Sequence, residues 1–221
     1  MRAERSQDLL LLLEGAGRLV QGLAVGPVIY LRALFALNRV SMISRSALGA
    51  RLGVGEGTAR TIIRRLAQRG LVNVIRSGCH LSDQGREFLR KLSELMTEPR
   101  LIGLEEVWRY EYSVGVVVRR ASGHVGRGLD ERDAAIRYGA EAAMVLSYVS
   151  GRVMMPEVSD VSEEHPEFAR KLLNELGPGE GDVMLIAGAR GFHAAESGAL
   201  GSAVYLTRKV LRSGVMPAGT D

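Results

Sequence analysis

The sequence predicts an α+β fold in two parts: a helical N-terminal domain carrying a β-hairpin, then a small α/β domain with helices packed on a mixed sheet. Three observations predict it. Apolar residues recur at helical spacing between capping signals through residues 27–96. From residue 112 onward, apolar runs of strand length alternate with helical segments. Charge divides along the same line: residues 1–97 carry 15 basic and 7 acidic side chains, and residues 98–221 carry 14 and 18. A net +8 half thus precedes a net −4 half in a chain of net charge +4. A basic half attracts a polyanion and an acidic half does not, so the two halves suit different partners. The expected boundaries are a first domain over 1–97, with a helical extension over 1–26, a linker over 98–110, and a second domain over 111–221.

The elements follow in order. Gly26-Pro27 starts a helix that runs to about Leu37, with proline at its first position. Ser44 caps a second helix, Arg45 to Leu52, which Gly53 closes. After a three-residue turn a third helix runs from about Glu56 to Arg69, and Gly70 ends it. Leu71 to Ile75 reads as a strand, Arg76 to Cys79 as a tight turn, and His80 to Ser82 as the returning strand. Ser82 then caps a fourth helix, Asp83 to about Met96. In the second half the strands are Tyr112 to Val118, Ala142 to Val149, Arg152 to Met155 and Asp182 to Ala187. Ser150-Gly151 turns the middle pair into a hairpin. Helices are expected from Asp130 to about Gly139, Glu163 to Leu176 and Phe192 to about Arg212, with Asp130 as a cap and Asp133 at the third helical position.

Composition narrows the function classes. At 46% hydrophobic and 24% charged residues the chain is close to the globular average, which argues against a mainly disordered one. Twenty-seven glycines without a triplet period exclude collagen. Leu9 to Leu13 is far short of the ~20 apolar residues of a membrane span, and Asp8 and Glu14 beside it do not suit a secretory signal. Cys79 is the only cysteine, which rules out an internal disulfide and suits a reducing, cytoplasmic setting.

The third helix carries the most chemistry. At ~100° per residue, Ala59, Ile62, Ile63 and Leu66 share one stripe, while Arg60, Thr61, Arg64, Arg65 and Gln68 spread over the opposite side. No acid lies on that side. Arginine and glutamine make bidentate bonds to base edges, and arginine also to phosphate. Taken alone, the same pattern fits a solvated surface helix. Two short helices, a tight turn, a basic third helix and a hairpin tipped by Arg76 together define a winged helix-turn-helix, whose third helix enters the major groove of double-stranded DNA. The expected DNA-binding set is Arg45, Thr58, Arg60, Thr61, Arg64, Arg65, Gln68 and Arg76. Gly55 at the cap position and Glu56 beside it fit this reading less well.

The stretch Leu52 to Leu66, with Arg69-Gly70-Leu71-Val72, resembles the winged-helix half of a family of archaeal transcriptional regulators. Leu129 to Ile136, Ser150 to Pro156 and Gly181 to Leu206 are similar to its C-terminal domain. The resemblance spans roughly residues 27–210. It implies a winged helix fused to an α/β domain of unassigned function and transfers no chemistry to that domain.

Two C-terminal loops are candidates for a small anionic metabolite. The loop Arg119 to Gly128 holds three arginines, His124, three glycines and no acid; Arg119, His124 and Arg127 are its expected ligands. Gly188-Ala189-Arg190-Gly191 joins a buried strand to the last helix, and Gly188, Arg190 and Gly191 form the second set. A solvated basic turn and close packing are the plain alternatives. His80, His124, His165 and His193 show no metal-ligand spacing, and no Gly-x-Ser-x-Gly elbow occurs, so no catalytic residue, cofactor or metal is expected. The resulting expectation is a homodimeric DNA-binding regulator. Leu9 to Leu13 and the small-residue final helix are its candidate seams, with a core role as the alternative for each. An enzyme with an appended winged helix and a protein-interaction module are the rivals.

Overall fold

The computed structural model describes residues 28–104 and 107–213. The expected extension over 1–26, the Leu9–Leu13 run and the Gly26-Pro27 helix start lie outside the described residues. The chain divides into two compact units between Glu94 and Leu95. It is a mixed α+β protein with eight α-helices and two antiparallel sheets among the described residues.

The first unit contains α1 (Val28–Asn38), α2 (Arg45–Leu52), α3 (Glu56–Gln68), β1 (Val72–Ile75), β2 (Gly78–Leu81) and α4 (Asp83–Ser93). The capping signals act as expected. Ser44 Oγ accepts the Ala47 N–H at the start of α2, and Gly53 closes that helix in the left-handed conformation. Ser82 Oγ likewise accepts the Gly85 N–H at the start of α4. Leu34, Leu37, Leu48, Ile62, Ile63, Leu66, Leu71 and Leu92 are all buried. β1 and β2 pair antiparallel with Ile75 opposite Gly78, so the turn is Arg76-Ser77 alone and the returning strand starts two residues earlier than expected. Ile43 bridges Cys79 through two backbone hydrogen bonds of 3.0 and 2.9 Å, adding a third short rung to the hairpin.

The second unit is one six-stranded sheet. Its strands are β3 (Arg100–Ile102), β4 (Tyr112–Val118), β5 (Ala142–Val149), β6 (Arg152–Met155), β7 (Ser159–Asp160) and β8 (Val183–Ala189), in the order β3-β4-β8-β5-β6-β7. Its helices are α5 (Leu129–Arg137), α6 (Val161–Glu164), α7 (Pro166–Leu176) and α8 (Phe192–Arg212). Every strand pair is antiparallel, which corrects the expected mixed sheet. The helix α5 carries the chain from β4 to β5 as a parallel crossover would, but β8 inserts between those strands and runs against both. The expected linker 98–110 is also corrected: it holds β3 on the edge of this sheet, with Ile102 and Leu104 buried.

Helices cover both faces of the sheet. On one face Val117, Leu146, Met184 and Ile186 pack with Leu172 and Leu176 of α7. On the other, α8 lies across β4 and β8 with α5 beside it. The small residues of α8 set that approach. A Cβ at Gly201 would collide with the Tyr138 ring, and one at Gly198 would meet the Ala140 methyl at 2.5 Å. This places the small-residue side of α8 inside its own unit, in the core role that was the alternative to a dimer seam.

Two helix starts differ from expectation. α5 begins after Gly128, whose φ of 75° makes it the cap, so Asp130 sits inside the first turn. The expected helix 163–176 is two helices, because Pro166 has no N–H to continue α6 and instead opens α7. No helix among the described residues is long and apolar enough to cross a membrane.

Candidate nucleic-acid interface

The amphipathic pattern of α3 survives folding. Ala59, Ile62, Ile63 and Leu66 are its buried residues, and Gly55 caps it without a side-chain bond. Its polar side chains then diverge. Arg64 and Gln68 are exposed. Arg64 has no ion pair among the described residues. Arg60 is exposed but engaged: its Nη2 lies 3.3 Å from Glu56 Oε1 one turn earlier. Thr61 is half-buried and its hydroxyl donates to the Gly57 carbonyl at 3.1 Å.

Arg65 departs from the expected outward face. It is half-buried, and its Nη1 donates to the Tyr30 hydroxyl of α1 at 3.0 Å. Helical periodicity places Arg65 near the edge of the polar arc, and the tertiary neighbour draws it in. Thr58 is half-buried, whereas Arg45 at the start of α2 and Arg76 at the hairpin tip are exposed, with no ion pair among the described residues.

Arg51 and Arg69 share that state and were not in the expected set. The charge count contains them, but periodicity says nothing of a residue at a helix end. The hairpin also exposes Val74 and Ile75 beside Arg76, at 49% and 46%. Burial pushes the Cys79 thiol above its ordinary pKa, and nearby Arg45 offsets part of that shift.

The second unit engages every expected cation of its two loops. Arg119 Nη1 lies 2.6 Å from Asp182 Oδ2. The buried Asp182 carboxylate also accepts the N–H groups of Arg120 and Gly179 at 2.9 and 2.8 Å. Arg119 is therefore the counter-charge of a buried acid. Arg127 Nε lies 3.1 Å from Glu157, and His124 Nε2 lies 2.8 Å from Ser213 Oγ.

At the other loop Arg190 Nε lies 3.7 Å from Glu141 Oε2, and the Arg190 N–H donates to Oε1 at 2.9 Å. Gly188 lies under an aromatic pair, since a Cβ there would meet Tyr110 and Trp108 at 2.7 and 3.0 Å. Gly191 caps α8 with open space around it. The register separates the loops. Val118 pairs with Val183 at one end of the sheet and Tyr112 with Ala189 at the other, so the two sets cannot share one ligand. Among the described residues no group of three His, Cys, Asp or Glu could hold a metal ion.

Comparison with known proteins finds a likeness for the second unit. Residues 110–206 match the model of a domain of unknown function, DUF4443. The chain is also similar to a solved structure, hypothetical protein PH0730 from Pyrococcus horikoshii OT3. Identity is 25% over 85% of this chain and 92% of that one, with a TM-score of 0.63. No curated protein matches. The similarity extends across most of the chain, while the matching domain model carries no activity.

Proposed function

We propose that this protein is a DNA-binding transcriptional regulator, with the first unit as a winged helix and the second as a dimerisation or sensing domain rather than an enzyme. One observation carries the reading: α3 keeps its apolar side buried and presents Arg64 to solvent without a neutralising acid among the described residues. Arg45 and Arg76 in the same unit are likewise exposed and without an ion pair among the described residues. Exposed cations without acidic partners are what counter-ion release from phosphate requires. The Ile43–Cys79 bridge supports the winged-helix reading, since it ties the hairpin to the segment just before α2.

In this reading Arg64 and Gln68 meet the major groove, Arg45 meets phosphate, and Arg76 anchors the hairpin. Arg60 joins them by exchanging Glu56 for a phosphate, while Arg65 holds α3 to α1 through Tyr30. A metabolite at the second unit would displace an existing carboxylate partner from Arg127 or Arg190. The test is recovery and sequencing of genomic fragments retained by the full chain at rising salt. Specific fragments should be enriched, and retention should fall steeply with salt. Salt-insensitive or sequence-random retention, unchanged by Arg64→Glu, would sink the reading.

A further inference from the structure

Glycine inside an α-helix costs stability relative to alanine, so each such position raises the question of what the missing Cβ makes room for. Among the described residues the α-helices contain Gly49, Gly57, Gly85, Gly198 and Gly201. Four of these have their answer within the chain. A Cβ at Gly49 would lie 3.0 Å from the Val54 carbonyl oxygen, and one at Gly85 would strike the Leu71 carbonyl. Gly198 and Gly201 make room for Ala140 and Tyr138 of the same unit. Gly57 of α3 is different. A Cβ there meets nothing within 4 Å among the described residues, its φ is not in the left-handed region, and the residue is exposed. Neither packing nor backbone conformation requires glycine at this position.

Its place on the helix is equally specific. At ~100° per residue, Gly57, Arg60, Thr61, Arg64 and Gln68 span about 100° of arc and form one line along α3. Gly57 is the N-terminal end of that line, and Arg64 and Gln68 stand exposed further along it. The line is therefore bare backbone at one end and long polar side chains at the other. Thr61, one turn on, folds its hydroxyl back onto the Gly57 carbonyl at 3.1 Å and leaves the space above Gly57 open. Glu56 lies outside the arc, with Arg60 Nη2 3.3 Å from its carboxylate.

We infer that Gly57 is the point at which the α3 backbone itself touches a DNA duplex. The absent side chain lets the first turn of α3 settle against the groove, while Arg64 and Gln68 bridge the wider gap further along. The helix is thus inclined to the duplex, with its N-terminal end deepest. What the glycine supplies is clearance rather than charge. The inference rests on the DNA-binding reading above and adds to it the end of α3 that comes closest.

Gly57→Ala in the full chain separates folding from binding. The added methyl should raise the melting temperature by about 2 °C, since it removes the glycine penalty and meets no neighbour. On a duplex of the genomic sequence that the wild type enriches, the same methyl should weaken binding about tenfold, because it is forced into a packed contact. No cation is lost, so the salt slope should stay at the wild-type value. Gly57→Gln, with a longer side chain, should bind more weakly still. Variants that bind this duplex as tightly as the wild type overturn the inference and leave the DNA-binding reading standing. So does a lower melting temperature for Gly57→Ala, which would show that the space is already filled. A wild type that enriches no duplex sinks that reading, and this inference with it.

Discussion

Arg64 and Arg65 are adjacent in sequence and both basic, yet the structure assigns them different work, and alanine at each position separates the two roles. Arg64 is exposed without an ion pair among the described residues, whereas Arg65 donates to Tyr30 at 3.0 Å. If Arg64 neutralises one phosphate, Arg64→Ala reduces the slope of log affinity against log salt by about 0.9. Over the fourfold rise from about 50 to 200 mM salt, that contact accounts for about a 3.5-fold difference in how far affinity falls. Folding stability should change by less than about 0.5 kcal/mol, because the residue is exposed.

Arg65→Ala should do the converse. It removes a half-buried hydrogen bond and costs about 1 kcal/mol, and Tyr30→Phe should cost a similar amount without adding to it. The salt slope should stay at the wild-type value. Fluorescence anisotropy on a mixed-sequence duplex at five salt concentrations, with urea melts of the same samples, reads both quantities. A slope that responds to Arg65→Ala and not to Arg64→Ala would refute the assignment of the outward face.

Three further outcomes test the fold. Asp182→Asn should destabilise the protein by about 3 kcal/mol in urea, the low end for breaking a buried pair, because Arg119 is itself 32% exposed; a loss under about 1 kcal/mol would show that the pair holds nothing together. Gly201→Ala, normally a gain of about 0.5–1 kcal/mol inside a helix, should instead cost about 1–3 kcal/mol, since the new methyl meets Tyr138; a raised melting temperature would contradict that packing. The Cys79 thiol is raised by burial, so the folded state holds its proton more firmly than the unfolded chain. Its stabilising contribution is complete below the ordinary thiol range near about 8.5 and is lost as pH climbs through the folded value. Melting temperature should therefore decline over that alkaline range less steeply in Cys79→Ala, and identical slopes would count against the burial argument.

Local signals were legible where the chain itself supplies the partner. Ser44, Gly53 and Ser82 mark helix ends by bonds to residues a few positions away, and they act as expected. The apolar stripe of α3 and the Ser150-Gly151 hairpin were readable for the same reason. The edge strands β3 and β7, with three and two residues, carry too little pattern to detect. The α5 start went to Asp130 because acids usually cap, whereas Gly128 takes the position through its left-handed backbone, where a Cβ would press on Val145 at 3.0 Å.

The candidate sites divide the same way. Which side chains are cationic, and which flank of α3 carries them, are properties of covalent order and helical pitch, so the sequence alone determined them. Which cations remain available to a polyanion is a property of neighbours distant along the chain. Tyr30 is 35 positions from Arg65 and Asp182 is 63 from Arg119. Strand order belongs to that second class too: β8 reaches its place between β4 and β5 only once the whole second unit has assembled, and that insertion makes the sheet antiparallel.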